Sequence, residues 1–313
     1  MSEKQRLLIL TGPTAVGKSK LSLELAKNLN GEIISADSMQ VYKHMDIGTD
    51  KVSLAVREEV PHHLIDIIEP QEHFDVTIFQ NLAKAAVADI SGRGKLPIIV
   101  GGTGFYIQAV LYDIDFSETD DDLQIRQSLE EEASSEEGLQ SVYQRLRQID
   151  PASCDVIPIQ NKKRVIRALE FFEKTGRPIS EHNKEQRAKK SPFNFKYYVL
   201  TDSRELLYRR IDERVDTMME RGLVAEAMNL IGRGVTAGCT SMQGLGYREV
   251  LAYLNGEYDL ERAVYLIKRN TRHFAKRQLT WFRREQNITW LDKQRYKDDE
   301  DVLSQIIRDN GYC

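Results

Sequence analysis

The chain has 313 residues, 41% of them hydrophobic and 29% charged, with a formal net charge of −4. That length holds one large or two modest domains around a buried core, and the composition excludes a disordered, collagen-like or coiled-coil chain. A negative total does not exclude a nucleic-acid partner, because clustered cations bind phosphates whatever the sum.

Leu7 to Leu10, Ile33-Ile34 and Pro97 to Val100 are short apolar runs that predict buried parallel strands. Helical patterns over 18–29 and 76–91 alternate with them, which predicts an α/β sheet with right-handed crossovers. Between the first strand and the first helix stands Gly12-Pro-Thr14-Ala15-Val16-Gly17-Lys18-Ser19, a complete G-x-x-x-x-G-K-S motif in the strand-loop-helix setting it requires. Its glycines let successive N–H groups turn inward on phosphate oxygens, and the helix N-terminus adds partial positive charge. Lys18 would reach the phosphates and Ser19 would offer a hydroxyl to Mg²⁺. The motif predicts a phosphate or diphosphate site without saying what carries the phosphates.

The second strand runs into Ser35-Ala36-Asp37, and the third into Gly101-Gly102-Thr103-Gly104 with no acid at its tip. Ligands of parallel sheets bind beyond the carboxyl ends of the strands, so Asp37, the phosphate loop and Thr103 are expected around one crevice. Asp37 could serve beside a metal, as a ligand to a substrate hydroxyl, as a general base or as a turn cap. His62, His63 and His73 have no spacing that makes a metal site and read as structural.

Residues 113–137 carry eleven acidic side chains against one basic, Arg126. Helical patterns continue to about 180, and Lys196 to Thr201 reads as a strand again. These features predict a P-loop NTPase-like parallel-sheet core over 1–113 and 196–313, interrupted by a mostly helical insertion over 114–195. The last third reads as helical throughout. Arg210, Arg214 and Arg221 share one helical face there, and from Arg262 to Asn287 eight basic residues face a single acidic one, Glu285. Arg262, Arg269, Lys276 and Arg283 recur every seven residues, with Val264, Ile267, Phe274 and Trp281 as the expected buried face. One charge sign at that density suits a phosphate-rich partner better than a solvated face.

Cys154, Cys239 and Cys313 lie far apart without a Cys-x-x-Cys pair, so neither a disulfide framework nor a zinc ribbon is expected. No apolar stretch approaches the roughly 20 residues that cross a bilayer. A cytoplasmic protein with no membrane partner follows.

Gly12–Ser19, Ala36–Tyr42, Met45–Thr49, Pro61–Asp66 and Val100–Tyr106 resemble the tRNA dimethylallyltransferases, also called tRNA isopentenyltransferases. Lys163–Glu170, Arg214–Asp216, Gly246–Arg248 and Ala275–Trp281 continue the likeness in the family's order over nearly the whole chain. The absence of a C-terminal zinc finger suggests the bacterial form. The resemblance implies transfer of a dimethylallyl group from dimethylallyl diphosphate to N6 of the adenosine just 3′ of the anticodon, releasing diphosphate, with Mg²⁺ as cofactor and a monomer acting on the tRNA anticodon arm.

By that resemblance Gly12, Thr14, Ala15, Val16, Gly17, Lys18 and Ser19 hold the diphosphate, and Ser19 the metal. Asp37 is the base that takes the proton of the amine, Thr103 contacts the tRNA or the transition state, and Arg214 binds diphosphate. Asp37, Ser38, Met39 and Gln40 surround the substrate adenosine, and Tyr42, Phe105 and Tyr106 are candidates to grip the base. Arg126 and Gln160, Asn161, Lys162, Lys163 and Arg164 contact the tRNA, as do Arg269 and Lys276 on the basic helix. For Arg126, a lone cation among acids, a local ion pair is the competing reading. Three rival functions remain at this point: a P-loop kinase of a small molecule or nucleotide, an RNA-binding nucleotide switch, and prenyl transfer to free adenine nucleotides.

Overall fold

Leu7, Leu8, Ile9 and Leu10 all lie buried, as a strand sealed on both faces requires. They form β1 (Arg6–Thr11), one of six strands in a parallel sheet. The computed structural model describes residues 4–116 and 123–311. Cys313 and part of the acidic stretch, residues 117–122, lie outside them.

In chain order β1 is followed by α1 (Lys18–Asn28), β2 (Gly31–Ala36), α2 (Leu54–Glu59), β3 (His62–His63), α3 (Val76–Gly92), β4 (Leu96–Gly101) and α4 (Gly104–Leu111). A helical run follows: α5 (Leu123–Glu132), α6 (Glu136–Ile149), the single turn α7 (Pro151–Cys154), α8 (Lys162–Thr175) and α9 (Ile179–Ala188). The chain returns through β5 (Asn194–Thr201), α10 (Arg204–Glu220), α11 (Leu223–Gly232), α12 (Tyr247–Leu254), α13 (Leu260–Phe282), β6 (Thr289–Asp292) and α14 (Asp299–Asp309).

The strand order is β3-β2-β4-β1-β5-β6. Ala36 lies opposite Gly101 and Gly101 opposite Thr11, so three adjacent strands end in one row. Thr11 Oγ1 donates to the Gly101 carbonyl at 2.6 Å, and Thr103 N–H to the Ala36 carbonyl at 3.2 Å, which ties the row together. Beneath one face Leu8, Leu10, Val16, Leu25, Ile33, Ile98 and Leu200 form a continuous core.

The chain divides into two compact units, Met1–Val110 with Phe193–Cys313, and Leu111–Pro192. The second contains only helices as regular elements among its described residues, with its own core of Leu129, Val142, Leu146, Val165, Ile166 and Leu169. Asn161 caps α8, accepting from Arg164 N–H, and Gly176 ends the helix in the left-handed conformation.

The structure corrects two expectations for the last third. It contains a strand, β6, which pairs with β5 through Val199–Trp290 and Leu200–Leu291. Of its four residues only Leu291 is buried, so no alternation could announce it. The buried face of α13 consists of Ala263, Ile267, Thr271, Ala275, Gln278 and Phe282; Val264, Phe274 and Trp281 are only half-buried. Small and polar residues alternate with Ile267 and Phe282 on this face, and at Gln278 it lies close against the backbone of Gly102.

Candidate active site

The phosphate loop turns through left-handed Ala15 (φ 63°) and Gly17 (φ 97°), and Gly17 opens α1. Val16 points its side chain into the core, so only its backbone faces a ligand. Ser19 stands exposed in the first turn of α1. The Lys18 ammonium curls over the loop, donating to the Gly12 and Pro13 carbonyls at 3.0 and 2.9 Å. Burial, joined by the nearby Arg214 cation, lowers its pKa to about 8, while the charge of Asp37 acts in the opposite direction. The charges of Arg214 and Asp37 thus both act on Lys18.

Thr14 is held at two atoms. Its N–H donates to Gln278 Oε1 at 2.9 Å, and its hydroxyl accepts from Arg214 Nη2 at 2.5 Å. Arg214 also meets Asp50 at 3.4 Å, and its Nε is buried without a partner among the described residues. The other two arginines of that face are engaged differently: Arg210 pairs with Asp202 at 2.7 Å, and Arg221 lies 3.9 Å from Asp50.

Asp37 follows the last residue of β2. Its Oδ1 accepts from Met39 N–H at 2.9 Å and more weakly from Gln40 N–H at 3.4 Å, an Asx-type turn. Oδ2 takes no hydrogen bond among the described residues. The Gln40 amide is spoken for on both sides, accepting from the Ser35 hydroxyl at 2.9 Å and donating to the Thr49 carbonyl at 3.1 Å. It braces the loop, with one N–H and one oxygen lone pair of the amide left over. Ser38 and Met39 are half-buried beside it. Thr103 is half-buried with an unengaged hydroxyl among the described residues.

Two of the aromatic candidates belong to the core. Tyr42 is fully buried, and Tyr106 is buried and stacked on Phe79 at 4.4 Å, so neither presents a face to an incoming base. Phe105 is exposed, edge-on to Trp281 at 6.1 Å. The histidines are structural: His62 bonds the Val60 carbonyl, His63 the Glu32 carboxylate and His73 the Asp75 carboxylate.

In the helical unit Arg126 is exposed and ion-paired with Glu130 one turn away at 3.1 Å. Gln160, Lys163 and Arg164 are exposed, and Asn161 and Lys162 half-buried, all at the N-terminus of α8. Cations at a helix N-terminus oppose its dipole at a cost of about 0.3–1 kcal/mol each, which a bound phosphate would reverse. On α13, Lys268 pairs with Asp216 and Arg272 with Asp212, removing two cations from the expected cluster. Arg262 and Arg277 lie over the rings of Tyr265 and Phe274. Arg269, half-buried, hydrogen-bonds Asn270 and has no carboxylate partner among the described residues, and Lys276 is exposed.

Residues 40–285 match the IPP transferase family, and residues 5–60 match the isopentenyl transferase family. The chain belongs to the IPP transferase family. A tRNA dimethylallyltransferase of Lachnoclostridium phytofermentans is 56% identical over 304 residues, 97% of either chain. That of Carboxydothermus hydrogenoformans is 50% identical over 311 residues, covering 99% of this chain and 98% of its own. The crystal structure of a tRNA isopentenylpyrophosphate transferase from Bacillus halodurans agrees with a TM-score of 0.74 at 44% identity, over 98% of this chain and 96% of that one. A eukaryotic dimethylallyltransferase, crystallised acting on tRNA, agrees with a TM-score of 0.82 at 32% identity, over 97% of this chain and 78% of that one.

Within this IPP transferase, motif reading gave no role to Gln278, Asp50 or Lys293. Gln278 bridges two loops of the crevice, and Lys293 donates to the Val16 carbonyl at 3.3 Å while paired with Asp299. Gln278 carried two signals, a polar residue at a position where the helical period calls for an apolar one and its place in the Ala275–Trp281 block of the resemblance. Among the described residues no helix is long and apolar enough to cross a membrane.

Proposed function

We propose that the chain transfers the dimethylallyl group of dimethylallyl diphosphate to N6 of the adenosine 3′-adjacent to the anticodon in tRNA, acting as a monomer in the cytoplasm. The observation that carries the reading is Asp37: one carboxylate oxygen is pinned by backbone N–H groups and the other takes no hydrogen bond among the described residues, at a strand end in the same row as the phosphate loop. A kinase reading accounts for the loop alone. It leaves unexplained the match of residues 40–285 to a prenyl-transferring family.

The chemistry follows from the row of strand ends. Neighbouring strands lie about 4.8 Å apart, so β2 and β1 set Asp37 and the phosphate loop roughly 10 Å apart, with the Thr103 loop of β4 between them. Diphosphate seats in the loop, where inward N–H groups, Lys18 and Arg214 stabilise the charge that grows as the C1–O bond breaks. The adenine N6 lone pair is delocalised into the ring, so the amine is a weak nucleophile. As the C1–N6 bond forms, Asp37 takes the amine proton, an effect worth about 10²–10⁴-fold, and Thr103 orients the amine. The base must leave its stack, which costs less from a loop than from a duplex.

Mg²⁺ fits the donors on hand. Ser19 offers a hydroxyl, and among the described residues no group of three His, Cys, Asp or Glu forms a protein cage. That suits an ion held largely by diphosphate oxygens and water. When bound, it supplies charge to the departing diphosphate.

Arg126, the Gln160–Arg164 segment, Arg269 and Lys276 serve the tRNA backbone in this reading. The test is direct: labelled dimethylallyl diphosphate and Mg²⁺ are incubated with unmodified tRNA, and in parallel with AMP and ATP. Label on tRNA adenosine supports the function; label only on free nucleotide, or consumption of ATP, overturns it.

A further inference from the structure

Gln278 sits on the buried face of α13 with 6% of its surface exposed, and its amide joins two loops that are distant in sequence. Oε1 accepts from Thr14 N–H at 2.9 Å, and Nε2 donates to the Gly102 carbonyl at 3.0 Å. Only one orientation of the amide satisfies both contacts, because an N–H can only donate and a carbonyl only accept. One rigid planar group thus spans the phosphate loop and the loop that carries Thr103.

The second loop is built to admit it. A Cβ on Gly102 would lie 2.1 Å from Gln278 Nε2, and one on Gly104 would lie 2.2 Å from the Trp281 ring. These glycines therefore answer to the close approach of α13, not to phosphate binding. At 100° per residue Arg269 and Lys276 project from the opposite side of the same helix, so the clamp and the basic row do not compete for one face.

We propose that Gln278 is a positioning residue for the transfer step: its amide sets the spacing between the loop that holds the diphosphate and Thr103. The inference rests on the function proposed above. Misplacement by about 1 Å of groups that must align reacting atoms costs about 10²-fold in rate. The effect belongs in kcat, because each loop retains its own contacts to its substrate.

The test uses the full chain in the tRNA labelling assay, with kcat and both KM values measured for Gln278→Ala, Gly102→Ala and the double variant. Gln278→Ala is expected to lower kcat by about 10–10²-fold, with KM for dimethylallyl diphosphate and for tRNA within about threefold. Gly102→Ala displaces the amide without deleting it and should reproduce the loss. This second route decides the matter even if Gln278→Ala fails to fold. The double variant should be no slower than Gln278→Ala, because the clash is gone. Wild-type kcat in either single variant, losses that multiply in the double, or a loss carried wholly by KM would overturn the proposal. An inactive wild-type chain would instead overturn the function and the proposal together.

Discussion

Arg214 on α10 reaches Thr14 in the phosphate loop, donating from Nη2 to Oγ1 at 2.5 Å across 200 positions of sequence. This hydrogen bond fixes the guanidinium beside the phosphate loop, with its Nε buried and unpartnered among the described residues. Arg214→Lys keeps the charge but loses the fork. A fall in kcat/KM of about 10²–10³-fold is expected, the usual cost of one donor to developing charge. Steady-state kinetics with dimethylallyl diphosphate would check it, and a loss under threefold would assign Arg214 to loop support alone.

Asp37 as base and Asp37 as turn cap make different demands. Asp37→Asn keeps an oxygen for the Met39 and Gln40 N–H groups but cannot take a proton. It should lower transfer by about 10²–10⁴-fold while tRNA affinity stays within a few fold. Turnover close to wild type would leave Asp37 only its turn.

Lys18 titrates near pH 8 in the free protein, because burial and the Arg214 cation both disfavour its ammonium form. Bound diphosphate favours that form and raises the pKa again. Above pH 8 binding must therefore take up a proton, and affinity should fall as pH rises, by up to tenfold per unit. Below pH 8 the lysine is already charged and this dependence vanishes. Calorimetric titration with inorganic diphosphate at pH 8.5, in two buffers of different ionisation heat, would show the uptake. Equal heats would contradict the shift.

Arg269 and Lys276 lack carboxylate partners among the described residues, unlike Lys268 and Arg272 on the same helix. Replacing both with Ala should weaken tRNA binding and flatten the plot of log K against log salt by about 1.5–2, near one unit for each phosphate no longer neutralised. An unaltered slope would return the row to solvent.

The phosphate loop and the Asp37 turn were legible in the sequence because each is local. A strand, a glycine-bounded loop and a helix start fall within some fifteen consecutive residues, and the backbone of such a stretch follows from its own φ/ψ preferences. The same locality explains what was missed. Tyr42 and Tyr106 looked available to a base until packing placed them in the core, and β6 is a strand only because β5 lies beside it.

Chain chemistry alone predicted a phosphate or diphosphate site at Gly12–Ser19 and a carboxylate at the end of the next strand. It was silent on the companions of that cradle. Gln278 lies 264 positions from Thr14, and Arg214 lies 200. They meet the loop because sheet order puts β4 and β5 on either side of β1, and because small residues let α13 press close. Short-range preferences shape a loop; which remote side chains surround it is set by the packing of the whole sheet and its helices.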